Sequence, residues 1–215
     1  MYSIPKTYIP NLPNFTNELT DFVGANEDPL SDGGNWGQAS TARPPLKRQS
    51  NSATDSDHGE PNYSYYTTPL PDGKPQGIYA CSTGGQLGVA VETWRIALYN
   101  SVGASISGYH FMYGGGIGKG YFLWAVHGSA SFSTIDTSSG PYPQKMGIIV
   151  NGSSIEGWSY NSGIWTLRCS AIDGAYSGPM YPVLGIEDPT GGGLGFVCFG
   201  LLKTFVPQIY RRPNE

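Results

Sequence analysis

The sequence has few charged residues and no long apolar run. These two properties argue against nucleic-acid and membrane partners. Charged residues make up 13% of the 215-residue chain, and Lys and Arg are scattered singly except at Lys47-Arg48 and Arg211-Arg212. Because a nucleic-acid interface needs a basic face that neutralises phosphates, nucleic acid is not an expected partner. Apolar runs such as residues 147–150 are far too short to cross a bilayer, so no membrane insertion is expected.

Cysteine is also scarce, with only Cys81, Cys169 and Cys198 in the chain. Each lies in an apolar, strand-like run, and no two are spaced as Cys-x-x-Cys. This pattern favours buried reduced thiols over a disulfide framework. The N-terminal sequence lacks the basic leader and the apolar stretch of a secretory signal, which predicts synthesis in the cytoplasm without export by that route.

Runs of helix formers are absent, whereas turn-forming residues abound. The chain carries 31 Gly, 17 Pro and 15 Tyr, a composition that predicts short helices or none. From Gly77 onward, strand-like segments recur between clusters of Gly, Pro, Asn or Ser, which is typical of a β-sandwich or barrel. An all-β chain of this length commonly forms one domain. The predicted strands are 77–82, 86–94, 108–113, 121–127, 131–135, 145–150, 154–159, 163–170, 183–187 and 195–202.

Two further segments complete the predicted secondary structure. Asn151-Gly152 is the strongest hairpin signal, because both central positions of such a turn tolerate positive φ. Residues 39–75 are polar and predict a loop or loosely paired edge strands, with one short strand beginning at Tyr63.

Both ends of the chain predict extended arms. Residues 1–16 place three prolines among bulky apolar side chains, and residues 205–215 have the same character. We expect these arms to flank a sandwich over residues 17–204, and either to contact neighbouring chains or to fold back on the sandwich. The residues expected to make assembly contacts are Tyr2, Ile4, Tyr8, Ile9, Phe205, Ile209, Tyr210, Arg211 and Arg212.

Residues 21–36 read Asp-Phe-Val-Gly-Ala-Asn-Glu-Asp-Pro-Leu-Ser-Asp-Gly-Gly-Asn-Trp, a polar segment dense in turns. This segment resembles the opening of the laminin-G-like or concanavalin A-like jelly-roll family. The resemblance continues in Gly-Val-Ala-Val-Glu-Thr-Trp at 88–94, Gly-Tyr-Phe-Leu-Trp at 120–124, the paired segments at 146–158 and Asp-Gly-Ala-Tyr-Ser-Gly-Pro at 173–179. It implies an antiparallel jelly-roll β-sandwich over about residues 20–202.

The resemblance also implies two classes of function. Jelly rolls with this opening are frequent in virion proteins of tailed bacteriophages, particularly minor tail and decoration proteins, and in secreted glycan-binding proteins. The arms and the missing secretory signal favour the first class. The implied location is the virion, and the implied partners are other virion proteins, copies of this chain and a host-surface glycan.

Catalysis is not expected from the sequence. Glycan hydrolysis needs two carboxylates roughly 5–10 Å apart, and on one face of a strand they would appear as Glu-x-Asp or Glu-x-Glu. Glu92 and Glu156 each stand alone, as expected of solvated or rim residues. A lyase would use His and Tyr instead; His110 and His127 lie in tyrosine-rich strands, but a hydrogen-bonded sheet histidine explains His110 more simply. His58 lies in the polar loop.

Aromatic side chains are the candidates for glycan contact, because sugars stack their apolar faces on aromatic rings. Trp and Tyr also fill sandwich cores, so half or more are expected inside. Those bracketed by turns are the better candidates, namely Tyr160 and Tyr176, with Trp158 and Asp173 next to them in the sequence. The other aromatic candidates are Trp94, Tyr109, Tyr113, Trp124 and Trp165.

A structural Ca²⁺ at the rim is common in this family and is the one cofactor that the resemblance implies. Asn26, Asp28 and Asp32 crowd one loop, and Asp188 lies near the other end of the chain. Their oxygens suit Ca²⁺, although the spacing is not that of a dedicated calcium loop. The alternative is that these turn residues bond their own backbone.

The sequence therefore predicts a non-catalytic structural protein of a phage particle, anchored by its arms and with a surface available for host glycans. A free-standing lectin-like module is the alternative. A polysaccharide lyase or hydrolase with an unrecognised site is a third, weaker hypothesis.

Overall fold

A computed structural model describes residues 13–15, 17–56, 60–83, 92–114, 120–128, 131–188, 194–202 and 204–205. Within these residues the chain is built from β-strands, and no helix is long and apolar enough to cross a membrane. The strands are β1 (Pro13–Asn14), β2 (Asn17–Thr20), β3 (Trp36–Gln38), β4 (Lys47–Gln49), β5 (Ser52–Thr54), β6 (Asn62–Tyr66), β7 (Gln76–Ser82), β8 (Thr93–Ser101), β9 (Ser107–Gly114), β10 (Gly120–His127), β11 (Phe132–Ser139), β12 (Lys145–Asn151), β13 (Ser154–Asn161), β14 (Ile164–Ile172), β15 (Tyr181–Glu187), β16 (Gly195–Leu201) and β17 (Thr204–Phe205).

Two antiparallel sheets face one another and form the predicted jelly-roll sandwich. The seven-stranded sheet has the order β11-β10-β9-β8-β15-β6-β3. The eight-stranded sheet has the order β14-β13-β12-β7-β16-β5-β4, with β2 also paired to β16. The all-β fold class predicted from the sequence is therefore confirmed.

The core lies between the sheets because alternate residues of each strand point inward. On β8, Trp94, Ile96 and Leu98 are buried in the main core, and Ile148 and Val150 of β12 belong to the same cluster. The intervening residues of the seven-stranded sheet, with residues next to two of its strands, form a second buried layer on its outer face. That layer contains Ala39, Tyr63, Ala97, Tyr99, Ile106, Val126 and Val183.

The hairpin at Asn151 is confirmed, but its turn lies one residue later than predicted. Asn151 pairs with Ser154, so Gly152 and Ser153 are the central residues. Only Gly152 has positive φ, at 58°, which is the pattern of a type II′ turn with glycine at its first central position.

Several predicted strand limits need correction. The strand predicted over 86–94 is described only from Glu92, and β8 begins at Thr93 and continues to Ser101. Residues 39–75 contain β4, β5 and β6 as well as loop. Gln49 and Ser52 pair across a turn in which Ser50 and Asn51 both have positive φ, so this polar segment forms a tight hairpin.

The prediction of three reduced cysteines is wrong for two of them. Cys81 and Cys198 form a disulfide, and Cys169 is a buried free cysteine. The cause is register: β7 and β16 are neighbours, Cys81 lies opposite Cys198, and their Cα atoms are 4.9 Å apart, within disulfide range.

The described parts of the arms contact the same chain. Pro13 pairs with Phe205 and Asn14 with Thr204, so β1 and β17 lie side by side. The Phe15 ring packs on Tyr79 and Trp165, with centroid distances of 5.5 and 4.7 Å. The other predicted arm residues, Tyr2, Ile4, Tyr8, Ile9, Ile209, Tyr210, Arg211 and Arg212, lie outside the described residues.

Candidate functional site

A cleft of about 300 Å³ opens at one end of the sandwich. Three connections meet there: the segment before β7, the β12–β13 turn and the loop from β14 to β15. We call it the terminal cleft. Its lining residues are Asp72, Gly73, Lys74, Pro75, Gln76, Val150, Asn151, Gly152, Tyr176, Ser177, Gly178 and Met180.

The loop that carries Tyr176 is fixed to both neighbouring connections. The buried Gln76 side chain donates to the Gly178 carbonyl at 2.8 Å and accepts from the Met180 amide at 3.0 Å. On the other side, the Asp173 amide donates to the Ser153 carbonyl at 2.8 Å. Because these bonds join three connections that are distant in sequence, the cleft wall is held in place before any ligand binds.

Tyr176 is half-buried and packs over the end of the seven-stranded sheet. Its ring meets that of the buried Tyr109 edge-on, with centroids 5.3 Å apart, and its hydroxyl hydrogen-bonds His127 Nδ1. The Tyr109 hydroxyl donates to the Asp173 carbonyl at 2.9 Å and accepts from the Tyr176 amide at 3.3 Å. Asp173 itself accepts from the Ala175 amide, so its carboxylate shapes the loop.

The cleft combines an aromatic ring with groups that donate and groups that accept hydrogen bonds. Asn151 and Ser177 carry neutral donors and acceptors, and Asp72 and Lys74 carry opposite charges; all four are exposed. Ligand sites pair apolar contact with a few placed polar groups in this way. Such a lining suits a ligand with many hydroxyls better than an apolar one.

The four residues predicted for glycan contact do not form one site. Tyr176 lines the terminal cleft and Asp173 supports its loop, whereas Trp158 is only 1% exposed and donates to Glu156 at 3.0 Å. Trp158 therefore has no free face for a sugar. Tyr160 is half-buried in a separate cluster, where Trp165 and the Lys145 ammonium lie 5.2 and 5.3 Å from its ring centroid.

The other predicted aromatic candidates fall mainly in the core. Trp94, Tyr109 and Tyr113 are at most 1% exposed, so the expectation that many would be core residues is confirmed for these three. Trp124 is half-buried on the outer face of the seven-stranded sheet and packs against Phe122 and Phe132.

His110 is the centre of a group on that outer face. It is fully buried, and Tyr63, Tyr99 and Trp124 surround its ring edge-on. The prediction of a hydrogen-bonded histidine is wrong, since neither ring nitrogen has a partner in the described structure. Burial, with a smaller effect of Arg95, lowers the pKa of His110 well below its usual value, so the ring is neutral at physiological pH. We call Tyr63, Arg95, Tyr99, His110 and Trp124 the His110 cluster.

Glu92 is not the solvated or rim residue that was predicted. Glu92 is 2% exposed. Glu156 is half-buried, and burial raises its pKa despite the hydrogen bond from Trp158. His58 lies outside the described residues.

Solved structures with a similar fold include lectin-like domains. Neither a family model nor a curated protein matches the chain. The legume lectin-like domain from Entamoeba histolytica has a TM-score of 0.59 and 10% identity, covering 79% of this chain and 90% of that domain. The exoplasmic/lumenal domain of VIP36, solved with Ca²⁺ and Man3GlcNAc, has a TM-score of 0.63 and 6% identity, covering 82% and 86%.

A third similar structure is the CBM2 module of the evolved Dit of Lactobacillus casei BL23 phage J-1. Its TM-score is 0.54 at 10% identity, and the match covers 91% of this chain and 99% of that module. The chain has the legume lectin-like jelly-roll fold. At these identities the likeness shows the fold alone.

The loop predicted to hold Ca²⁺ already contains a cation of the chain itself. Arg48 donates to Asp32 at 2.9 Å and to Glu27 at 2.7 Å. The Asp32 and Ser31 amides, with Arg48 nearby, hold the pKa of Glu27 below its usual value. The Asn26 side chain accepts from the Ser50 amide of the β4–β5 turn at 3.3 Å.

The predicted calcium ligands therefore do not fit one metal site. Asp28 is exposed, and the buried Asp188 accepts from the Leu194 amide at 3.1 Å while its own amide donates to Asp55. Within the ranges the structure describes, no three His, Cys, Asp or Glu side chains are grouped to hold a metal ion.

Three cleft residues have no direct signal of function in the sequence. Gln76, Lys74 and Asn151 line the cleft because loops far apart in the chain meet there. Asn151 was recognisable only as part of a hairpin turn. The signal that could have identified Asn151 as a cleft residue is its polar turn, which lies at the same end of the sheets as Tyr176.

Proposed function

We propose that this protein is a glycan-binding module and that its terminal cleft is the binding site. The observation that carries the proposal is the cleft itself, where the half-buried Tyr176 ring and exposed polar groups line one rigid hollow. A volume of about 300 Å³ suits a short saccharide or the end of a longer one. The glycan-bound VIP36 domain, which has the same fold, adds support.

Two variants test the site. Tyr176→Ala removes the cleft ring and should weaken glycan binding about tenfold or more, as expected for a central aromatic contact. Tyr160→Ala is the matched control, because it removes a similarly half-buried tyrosine from a different cluster. A glycan array identifies the sugar, and calorimetry measures its Kd with each variant. Equal losses in both variants, or none in either, would refute the site.

We propose further that the module works on a bacteriophage particle. Support comes from the phage J-1 module, whose whole length aligns with this fold, and from the resemblance of the opening segment to phage virion proteins. The partners would be other virion proteins and copies of this chain. Immunogold electron microscopy of purified particles tests this: label on the particle supports it, and protein found only in the unassembled fraction contradicts it.

Binding without cleavage is the remaining part of the proposal. The cleft offers Asp72 as a carboxylate, but its neighbours Lys74 and Asn151 suit recognition rather than acid catalysis. Incubation with the glycan found on the array should release no reducing ends and no unsaturated products. Sustained release of either, lost in a Tyr176→Ala or Asp72→Asn variant, would assign an enzyme instead.

A further inference from the structure

The His110 cluster contains buried polar atoms that lack partners. Tyr99 and His110 are 0% exposed, and the Tyr99 hydroxyl, both His110 ring nitrogens and Trp124 Nε1 form no hydrogen bond in the described structure. Each unmatched buried polar group costs about 1–3 kcal/mol. Native proteins rarely leave such a group without a partner, and a concentration of them points to a bound species.

The strand register brings these groups together. His110 lies directly opposite Ala97 on β8 and Trp124 on β10, so its ring stands between the two neighbouring strands. The rings of Tyr63, Tyr99 and Trp124 surround it with centroid distances of 5.9, 6.2 and 6.0 Å. Four of the eight unmatched buried polar atoms of the described residues thus lie in one patch of this sheet.

The cluster has more free donors than free acceptors. Indole Nε1–H only donates, a neutral imidazole has one N–H, and a tyrosine hydroxyl donates as well as accepts. Arg95 adds a positive charge that is paired with Glu187, and three of its five N–H groups donate to Thr93, Tyr63 and Glu187. A species that only accepts hydrogen bonds and carries negative charge would match this surplus.

We propose that the His110 cluster binds a small monovalent anion, of which chloride is the probe. The anion would accept from Trp124, His110 and Tyr99 within reach of the Arg95 charge. Since Tyr99 and His110 are fully buried, a sugar or a large carboxylate does not fit without opening the sheet face. This site is independent of the glycan proposal.

Anion binding should favour the protonated form of His110, because an opposite charge nearby stabilises an imidazolium. The described titratable or charged groups around the ring are Arg95 and Tyr99 on β8, Tyr63 on β6 and Glu187, which pairs with Arg95, on β15. Chloride affinity should therefore rise as pH falls toward the lowered pKa of His110.

Thermal unfolding of the full-length chain tests the proposal. Tm is measured while sodium chloride replaces sodium gluconate at constant ionic strength. The wild type should show a saturable rise in Tm with chloride. Tyr99→Phe and Trp124→Phe should lose at least most of this rise, while each variant keeps an aromatic ring at the substituted position. Trp36→Phe is the control, because it removes another unmatched buried indole N–H from the main core and should respond like the wild type.

A second measurement covers variants that fail to fold. Crystals of the wild type grown with sodium bromide should give an anomalous peak beside His110 and Trp124. The absence of that peak, with an ordered water bonded to the same atoms, would overturn the proposal. So would a wild-type Tm that responds equally to chloride and gluconate.

Discussion

Gly185 lies where an added methyl group has no room, and Gly185→Ala therefore measures how tightly the outer face of the seven-stranded sheet is packed. A Cβ at this position would lie 2.5 Å from two ring carbons of Tyr63 and 3.2 Å from the Arg95 Cβ. Tyr63 is 3% exposed, and its hydroxyl accepts a hydrogen bond from Arg95. The ring therefore has little freedom to move away from the added methyl group.

The size of the effect follows from this geometry. The Tyr63 ring must retreat by about 0.9 Å for the contact to lengthen from 2.5 Å to an ordinary 3.4 Å. Overpacking of this kind typically costs about 1–3 kcal/mol. For a chain of this length each kcal/mol lowers Tm by about 2–4 °C, so a loss of roughly 2–12 °C is expected.

Calorimetry of the purified variant gives this shift, with Gly174→Ala as the control. An added Cβ at Gly174 would meet only the Ser153 Cβ, at 3.9 Å, and should leave Tm nearly unchanged. In a Tyr63→Val background, Gly185→Ala should cost less, because the opposing ring is gone. An unchanged Tm in Gly185→Ala, or an equal loss in Gly174→Ala, would refute the packing argument.

Three other predictions concern stability and are measured by urea unfolding. Replacing Cys81 and Cys198 by Ser should cost roughly 4–5 kcal/mol on the chain-entropy model, since their bond closes a loop of 117 residues; an unchanged midpoint would contradict it. Because the pKa of His110 is lowered in the folded state, stability should fall as pH drops below about 6.5, where only the unfolded chain takes up the proton. His110→Gln should remove that part of the slope, and an identical slope would refute the assignment. Arg48→Met should cost about 2 kcal/mol or more, by leaving Glu27 without its cation, whereas a neutral effect would show that the loop repacks.

The sheets were predictable from the sequence because their signal is local. Short apolar runs bounded by turn residues, such as residues 145–150, indicate buried strands, and Gly152 marks a hairpin. The β4–β5 region was predicted only as a loop or loosely paired edge strands, because the turn of this hairpin, Ser50-Asn51, contains no glycine and its strands are polar.

Features that depend on pairing between strands far apart in the sequence could not be predicted from local patterns. The disulfide needs the register of β7 against β16, which brings together cysteines 117 residues apart. The extension of β8 through Arg95 depends on its ion pair with Glu187 across the sheet, which makes a charged residue acceptable in a buried strand. Tyr176 was identified as a candidate from its turn, but Gln76 was not, because the loop that it fixes lies about a hundred residues further along the chain.

The most direct test of glycan binding at the terminal cleft is a ¹H–¹⁵N NMR titration of the protein with the best-bound sugar from the array. The predicted result is a saturable set of shifts confined to the cleft, including the amides of Asn151, Tyr176 and Gly178. Shifts centred on Tyr160 and Trp165, or no saturable shifts with any array sugar, would contradict the account.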